Sequence, residues 1–420
     1  DNVAKAVEYL GRAGQQALQR SAYADATNRL TAAINLLQKL PDSPERIQRE
    51  VLLQLAVGPA LINVKGYAAP EMERAYTRAR ELCERLGDSP ELFPALFGLW
   101  LMHLLRGELR NAYELAEPLM RLAQSAHDPA LLLYARFALG DTSFWMGEFL
   151  AAREQLEMAI TLYDPERHWP LTFRYVGIDA GVLCLSHTAW TLWQLGYPEQ
   201  ALKKSNESLA LAQKLSHPPS LAFAEYFAGV LHQYQREARA AQQHAESAIA
   251  LSAEHGLTDW LAWATTQRGW AMAEQGRNEE GIAQLQEGLA ASRATGAELL
   301  RPYHLCLLAE ACRDTGRLDH GLSALTEAVA AADEFENRHH EAEMHRLKGE
   351  LLLRQDDSNI AGAQSCFEQA IKIARAQSAK SLELGATTSL ARLLGKQGKR
   401  NEARAMLAEI YGWFTEGFDT

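Results

Sequence analysis

The stretch "GWAMAEQGRNEEGIAQLQEGL", Gly269–Leu289, shares its residue pattern with "AEACRDTGRLDHGLSALTEAV", Ala309–Val329, 40 residues later. In both stretches a small residue comes first, a Gly-Arg pair begins seven residues on, and a second Gly stands five residues beyond that turn. Self-similarity at a fixed period is typical of an array built from one supersecondary unit. The two stretches therefore predict that repeats organise this chain.

The same pattern extends along most of the sequence. From Gly229 to Gly349 the opening small residue recurs every 40 residues. Apolar side chains on either side of the turn follow helical spacing, as at Leu305, Leu308 and Cys312. Each unit is therefore predicted to be two helices joined by a turn, and a small residue where the helices cross lets them approach closely. The opening positions are Gly140, Ala189, Gly229, Gly269, Ala309, Gly349 and Ala391.

The unit resembles the tetratricopeptide repeat, and the best match is the segment around "CFEQAIKIA". There Ala363, Phe367 and Ala370 fit the second-helix pattern of that repeat. The resemblance implies an all-α fold, an α-solenoid wound as a right-handed superhelix of about ten repeats, in a single domain over 1–420. We expect well-matched repeats over 128–414. Repeats over 1–127 are less regular, and their phase depends on "KGYAAPE" (65–71) and "RGELRNA" (106–112).

One interval is longer than the others. Gly147 and Gly196 are 49 residues apart, and the extra length lies in "YDPERHWPLTFRYVGIDAG", residues 163–181. Long loops in repeat arrays often carry function. Two interpretations stay open, a loop that wraps over the next helix and a loop that binds a ligand. The candidate binding residues in it are His168, Arg174, Tyr175 and Asp179.

Composition excludes several classes of partner. The net charge of −11 disfavours a general nucleic-acid surface, which would need a basic field. The longest apolar run, 92–105, is too short to cross a bilayer, and no signal peptide is visible, so no membrane partner is expected. Five scattered cysteines suit a reducing compartment and predict a cytoplasmic protein. The chain begins at Asp1 without Met, which fits a fragment or a trimmed chain.

No enzyme signature is found. The Gly395-Lys396 pair lacks the first Gly and the hydroxyl residue of a phosphate-binding loop. His340 and His345 are five residues apart, about 140° around a helix, which is the wrong geometry for a zinc protease. We interpret these two and His339 as solvated residues at a helix start. The sequence thus predicts no catalytic residue, no cofactor and no metal site.

Several longer strings resemble one group more closely. They include "YDPERHWPLTFRYVGIDAGVLCL", "GLAASRATGAELLRPYHLCLLAEA" and "IYGWFTEGFDT". They are similar to the C-terminal repeat region of large bacterial signalling proteins, in which a class III cyclase or another output module and a STAND-type ATPase precede the repeats. The resemblance implies an interaction and regulatory arm that senses or recruits a partner and controls the upstream ATPase and cyclase domains in cis.

The resemblance also implies where a partner would bind. In tetratricopeptide arrays the first helix of each unit lines a concave groove, which would hold a protein or peptide. Its positions here are aromatic in the middle units, at Tyr134, Phe137, Trp145, Trp190, Trp193, Phe223, Tyr226, Tyr234, Trp263, Trp270 and Tyr303. They are basic further on, at Arg313, Arg346 and Arg354.

Alternatives remain for these positions. The aromatic side chains either anchor a partner or pack against the neighbouring repeat. The arginines suit a carboxylate, but Glu310, Glu343 and Glu350 lie near enough in sequence to neutralise them. An alternative function is a small-molecule sensor, with the pocket formed by 163–181 and the nearby aromatic residues.

Overall fold

The computed structural model describes residues 2–66, 69–87, 89–175 and 177–418. Every regular element in these ranges is a helix, and twenty of them form ten successive antiparallel hairpins, so the predicted all-α solenoid is confirmed. Tyr67 and Ala68, in the segment used to set the early phase, lie outside the described residues. We number the hairpins as units 1 to 10.

The helices of units 1 to 5 are α1 (Asn2–Gln19) and α2 (Tyr23–Leu37), α3 (Pro44–Lys65) and α4 (Pro70–Leu86), α5 (Leu92–Leu105) and α6 (Leu109–Ala126), α7 (Pro129–Trp145) and α8 (Phe149–Leu162), and α10 (Ala180–Gln194) and α11 (Pro198–Leu215). A short helix, α9 (Pro165–His168), and a 3-10 turn (Trp169–Leu171) lie between units 4 and 5. The helices of units 6 to 10 are α12 (Pro218–Tyr234) and α13 (Ala238–His255), α14 (Thr258–Glu274) and α15 (Asn278–Thr295), α16 (Arg301–Asp314) and α17 (Leu318–Phe335), α18 (Glu341–Gln355) and α19 (Ile360–Ala376), and α20 (Lys380–Lys396) and α21 (Arg400–Tyr411).

The repeat motif has the physical role that its residue types indicate. Gly276, the turn residue of unit 7, has φ +86°, a conformation that L side chains rarely adopt. At the crossing of α14 and α15, a Cβ added to Gly269 would lie 2.7 Å from the backbone nitrogen of Leu285 and 2.8 Å from the carbonyl oxygen of Gly281. The small residues therefore set the closeness of the two helices, as the sequence predicts.

The superhelix closes on itself after five units. The carbonyl oxygen of Leu105, at the end of α5, accepts the backbone N–H of Glu298 at 2.9 Å and of Leu299 at 3.2 Å, just before α16. In the same way the carbonyl of Trp145, at the end of α7, accepts the N–H of Arg338 at 2.9 Å, just before α18. Helix ends leave unsatisfied carbonyls. Here the segment just before the first helix five units later supplies the donors.

A third contact of this kind joins units 5 and 10. The hydroxyl of Ser381, in the first turn of α20, donates to the carbonyl of Trp193 at 2.5 Å. We call the three junctions the seams: α5 to α16, α7 to α18, and α10 to α20. They mean that one superhelical turn takes five units and that successive turns touch.

The segment after the last helix reinforces the third seam. The Glu416 carboxylate accepts the backbone N–H groups of Glu199 at 3.0 Å and Gln200 at 3.1 Å, at the start of α11. The ring of Trp413 lies 5.5 Å from that of Tyr197. We call residues 412–418 the C-terminal strap, because they tie unit 10 to unit 5. In the part of the chain that the structure describes, none of the helices is both long and apolar enough to span a membrane.

Candidate functional site

The aromatic half of the predicted groove lies inside the closed superhelix. Trp190 illustrates the packing: its ring stacks on Phe227 with centroids 3.9 Å apart, and its indole N–H donates to the Phe227 carbonyl at 2.8 Å. Packing between neighbouring units and turns therefore occupies these side chains. Nine of the predicted aromatic residues are at most 3% exposed: Tyr134, Phe137, Trp145, Trp190, Phe223, Tyr226, Trp263, Trp270 and Tyr303.

A small apolar cavity remains within this core. The cavity has a volume of about 60 Å³, and its walls include Trp190, Trp263 and Leu299. Two polar groups reach it. The Asp141 carboxylate accepts the indole N–H of Trp145 at 2.7 Å and lies 3.1 Å from Nε2 of His187. The cavity is thus aromatic, with one buried acidic group whose partners are within the protein.

The described residues of the inserted loop pack onto units 4 and 5. Val176 lies outside the described residues. His168 is buried, and its Nδ1 accepts the Asp164 N–H at 2.8 Å. Tyr175 is buried against Tyr134, with ring centroids 4.1 Å apart. Arg174 instead borders a shallow depression beside α1 and α3, away from the groove.

Asp179, the last candidate of the loop, is the N-cap of α10. Its carboxylate accepts the N–H groups of Gly181 at 2.9 Å and Val182 at 3.1 Å. The Tyr163 hydroxyl also donates to it at 2.9 Å. Burial raises the pKa of Asp179, although these hydrogen bonds oppose the shift. Three of the four loop candidates therefore have structural partners, and a binding role for this loop stays a prediction.

The open part of the concave surface lies in units 5 to 10. Two adjoining compartments there have volumes of about 270 Å³ and 780 Å³. We call them the inner and outer compartments of the polar groove. Arg236, Arg346, Ser389 and Arg392 line both. Of the predicted residues, Trp193, Tyr234 and Arg346 border the inner compartment, and Arg313, Arg346 and Arg354 border the outer one.

The predicted arginines are engaged in ion pairs. Arg346 pairs with Glu343 at 2.6 Å and also with Glu350. Arg313 pairs with Glu350 and with Asp314 at 2.8 Å. Burial alone would raise the pKa of Glu343, but the charge and hydrogen bonds of Arg346 outweigh burial and lower it to about 2. These arginines are therefore largely neutralised within the protein, as the neighbouring glutamates suggest.

Arg354 is less completely engaged. Its guanidinium donates to the Arg313 carbonyl at 3.1 Å and lies 3.5 Å from the Asp314 carboxylate.

Two cations that the sequence analysis missed lack such partners. Arg392 and Lys396, one turn apart on α20, are exposed at the outer compartment. Neither makes a hydrogen bond or an ion pair with another described residue. The positional rule used for units 4 to 9 would have found both, because in unit 10, with Ala391 as the eighth residue, they occupy the ninth and thirteenth positions. Arg236 was missed because it occupies a turn position; it pairs with Glu310 at 2.5 Å.

The histidines at the start of α18 differ from the prediction. His339 and His340 are buried, at 1% and 5% exposure, so the interpretation of them as solvated residues is wrong. The reason is the second seam, which presses the segment before α18 against α7. Burial lowers the pKa of His340 to about 4. His340 borders the inner compartment, and its Nδ1 has no hydrogen-bond partner in the described structure.

Comparisons with solved structures show what the fold of this chain is similar to. A Rap protein complexed with competence and sporulation factor superposes with a TM-score of 0.61 and 13% identity, over 86% of this chain and 98% of that one. NprR in complex with its cognate peptide NprX superposes with a TM-score of 0.56 and 11% sequence identity, over 87% of this chain and 99% of that one. The apo form of the quorum sensor NprR from B. thuringiensis superposes with a TM-score of 0.51 and 12% sequence identity, over 88% of this chain and 99% of that one. At such low identity these matches establish the tetratricopeptide-like fold.

One curated protein is similar in sequence. It is an uncharacterized protein of Rhizobium meliloti (strain 1021), 24% identical over 393 residues, which are 93% of this chain. The chain spans 38% of that relative's length. No family model matches the chain. Among the described residues, no group of three or more His, Cys, Asp or Glu side chains is placed to hold a metal ion.

Proposed function

We propose that this chain is a regulatory scaffold that binds a peptide or a protein segment in the polar groove and carries out no catalysis itself. The exposed, unpaired pair Arg392 and Lys396 is the observation that carries the proposal. Exposed cations beside a concave wall of otherwise balanced charge are suited to an anionic ligand. The fold agrees, because two of the similar structures, the Rap protein with competence and sporulation factor and NprR with its cognate peptide NprX, are complexes.

The groove's position gives a mechanism for regulation. Trp193 of unit 5 and Ser381 of unit 10 both border the inner compartment, and they also form the third seam. A ligand there contacts both superhelical turns at once. If it binds the closed and the opened arrangements with different affinity, it shifts the equilibrium between them. Ligand occupancy would thereby change how tightly units 5 and 10 are held together.

A panning experiment tests this function. A random peptide library displayed on phage is selected on the wild-type chain and on Arg392→Ala/Lys396→Ala. We expect a consensus on the wild type and at least a tenfold loss of bound phage on the double variant. Arg404→Ala is the matched control, because Arg404 is exposed on α21 and does not border the groove. Selection of no consensus, or equal binding by the double variant, would refute the assignment.

We further propose that the whole chain acts as one arm of a longer bacterial cytoplasmic protein, in cis to a STAND-type ATPase and a cyclase or another output domain. The length of the Rhizobium meliloti relative and the strings described above support this arrangement. Immunoblotting of the native protein is the test. A band well above 100 kDa is expected, whereas a band near 46.6 kDa would mean that the repeats act alone as an adaptor.

The apolar cavity supports a second candidate function, the sensing of a small molecule. Ile178 of the inserted loop lines it together with Phe137 and Trp190, so the loop and the predicted aromatic residues do meet there. A ligand that binds only the folded state stabilises it by RT ln(1 + [L]/Kd), so the melting temperature rises with ligand concentration. Thermal melts against a panel of small apolar compounds should show a shift if this function holds, and a flat panel would count against it.

A further inference from the structure

The apolar cavity inside the superhelix contains one carboxylate and one imidazole. Among the described residues that line it, the side chains able to carry a charge at neutral pH are Asp141, on α7, and His187, on α10. Both are buried, and the Asp141 carboxylate lies 3.1 Å from Nε2 of His187. The rest of the described wall is aromatic or aliphatic. The charge in this space therefore depends on these two groups.

The hydrogen bonds of His187 determine what its second nitrogen presents to the carboxylate. Nδ1 lies 2.9 Å from the Leu183 carbonyl oxygen, and a carbonyl oxygen only accepts, so Nδ1 carries a hydrogen. A neutral imidazole then has a lone pair on Nε2, directed at the Asp141 carboxylate. Two acceptors 3.1 Å apart repel each other unless a positive charge lies between them. A second proton on His187 is one source of that charge, and a bound cation is another.

The Asp141 carboxylate can accept a further hydrogen bond. The Trp145 indole and His187 both contact Oδ1, and no described residue donates to Oδ2. The nearby titratable groups are uncharged, because burial raises the pKa of Tyr226, on α12, and of Cys184, one turn before His187. Among the described residues, α5, α14 and the segment before α16 contribute only leucine and tryptophan side chains to the cavity. No protein cation therefore competes for Oδ2.

The walls suit a small organic cation. The rings of Trp190, Trp263 and Phe223 line the cavity, and the faces of such rings attract cations. An apolar cavity of about 150 Å³ holds benzene, so a volume of about 60 Å³ fits about two or three heavy atoms. Methylammonium, ethylammonium and dimethylammonium have that size. A cation buried in a protein needs a charged partner and hydrogen-bond acceptors, and Asp141 and His187 supply both.

We propose that the apolar cavity binds a small alkylammonium ion, which donates to Asp141 and to Nε2 of His187 and replaces the second proton of His187. The proposal rests on the small-molecule function given above as the second candidate, and it names the class of ligand. One positive charge enters the cavity and one proton leaves Nε2 for the solvent, so the charge balances. Affinity should therefore rise with pH, by up to tenfold per pH unit.

Calorimetric titration of the whole chain with dimethylammonium chloride tests the exchange. The titration is run at pH 6 and pH 8, where alkylammonium ions stay protonated as lysine does, and in two buffers of different ionisation enthalpy. We expect release of up to one proton per bound ion and at least tenfold tighter binding at pH 8. Sodium chloride at the same concentration should give no binding heat. Binding without proton release, or equal affinity at the two pH values, would overturn the exchange.

Propane, which has as many heavy atoms as dimethylammonium but no charge, tests the class of ligand. We expect at least tenfold weaker binding of propane at pH 8. Propane that binds as tightly as dimethylammonium would overturn the cation while leaving the small-molecule function intact. Binding of neither compound would overturn both. The peptide function has its own test in the panning experiment and does not depend on these results.

Asp141→Asn locates the site. The variant keeps the size of the side chain and an oxygen for the Trp145 indole N–H, but it removes the charge. It should lose at least tenfold in affinity for dimethylammonium and keep its affinity for propane. Asp319→Asn, exposed on α17, is the matched control and should bind like the wild type. Circular dichroism checks the fold of both variants, and the proton-release measurement needs no variant. Undiminished binding of dimethylammonium by folded Asp141→Asn would refute the placement.

Discussion

The backbone N–H of Arg338 donates to the carbonyl oxygen of Trp145 at 2.9 Å, although the two residues belong to units 4 and 9. Open repeat arrays make contacts between adjacent units only. In this protein the end of one first helix meets the start of another five units later. The concave surface is consequently divided into a filled aromatic interior and a polar groove that remains accessible.

Asn337 joins the segment of the first seam that precedes α16 to the segment of the second seam that precedes α18. Its side-chain N–H donates to the Leu299 carbonyl at 2.7 Å, and its oxygen accepts from His339 Nδ1 at 2.7 Å. Asn337→Ala leaves buried groups without partners, so we expect the free energy of unfolding to fall by about 1–3 kcal/mol. Urea denaturation measures it. Asn401→Ala, at an exposed position, is the control and should change stability by less than about 0.5 kcal/mol. Equal values for the two variants would contradict the role of Asn337.

Close helix crossing predicts opposite effects at two glycines. Gly269→Ala places a methyl group against backbone atoms 2.7 Å and 2.8 Å away and should destabilise the protein by about 1–3 kcal/mol. Gly395→Ala, in α20 with nothing within 4 Å of the new Cβ, should stabilise it by about 0.5–1 kcal/mol. Thermal melts of both variants give the comparison. A stabilising Gly269→Ala would show that the crossing can relax.

The C-terminal strap is held by a charge at a helix start. Glu416→Gln keeps the size of the side chain but removes the charge that the N-terminus of α11 favours, a loss of about 0.3–1 kcal/mol. Hydrogen exchange at the Glu199 and Gln200 amides should become faster. Glu287→Gln, on the exposed side of α15, is the matched control. Unchanged exchange at both amides would mean that Trp413 and its neighbours hold the strap without Glu416.

Buried histidines predict lower stability in mild acid. Burial lowers the pKa of His304 to about 3 and of His340 to about 4, even though Glu343 and Glu310 raise the latter. The unfolded chain therefore takes up protons below about pH 6.5 that the folded chain does not, and stability falls as pH drops from 6.5 towards 4. Between pH 7.5 and pH 5 the contribution of His340 is on the order of 2 kcal/mol.

Comparison of variants isolates that contribution. The charged groups acting on His340 are Glu343, Glu310, Arg346 and Arg236, and all four are retained in His340→Gln. This variant should lose less stability than the wild type over the same pH interval in urea titrations. His320→Gln, at an exposed site, should keep the wild-type slope. A His340→Gln slope equal to that of the wild type would contradict the burial argument.

The sequence predicts the hairpins well because each is specified locally. The small residue Gly229 and helical apolar spacing place unit 6 at 217–255, although Arg236 stands where most units have a turn Gly, and the helices observed there run over 218–234 and 238–255. Closure of the superhelix was not predicted. It depends on small rotations summed over five units, and no motif within a unit encodes that sum. For this reason His339 and His340 were expected in solvent, and the aromatic positions were left between packing and binding.

For the candidate site too, features specified within one unit could be predicted from the sequence, and features that depend on several units could not. Tyr234, Arg346 and Arg354, which the positional rule names, border the polar groove, and their role in binding stays a prediction. The rule cannot tell which cations remain without a partner, because ion pairs such as Arg313 with Glu350 join different units. Arg392 and Lys396 stand out only once all the pairs are known.

The seams also bear on how the chain folds. An array in which each unit touches only its neighbours can gain or lose units from its ends one at a time. Here the carbonyl oxygens of Leu105, Trp145 and Trp193 accept hydrogen bonds from residues that lie roughly half of the chain further on. Many residues must therefore be ordered before these contacts form. Folding should therefore be slower than for an open array of the same length. Loss of unit 10 should loosen unit 5 as well, so that the molecule melts as one cooperative body.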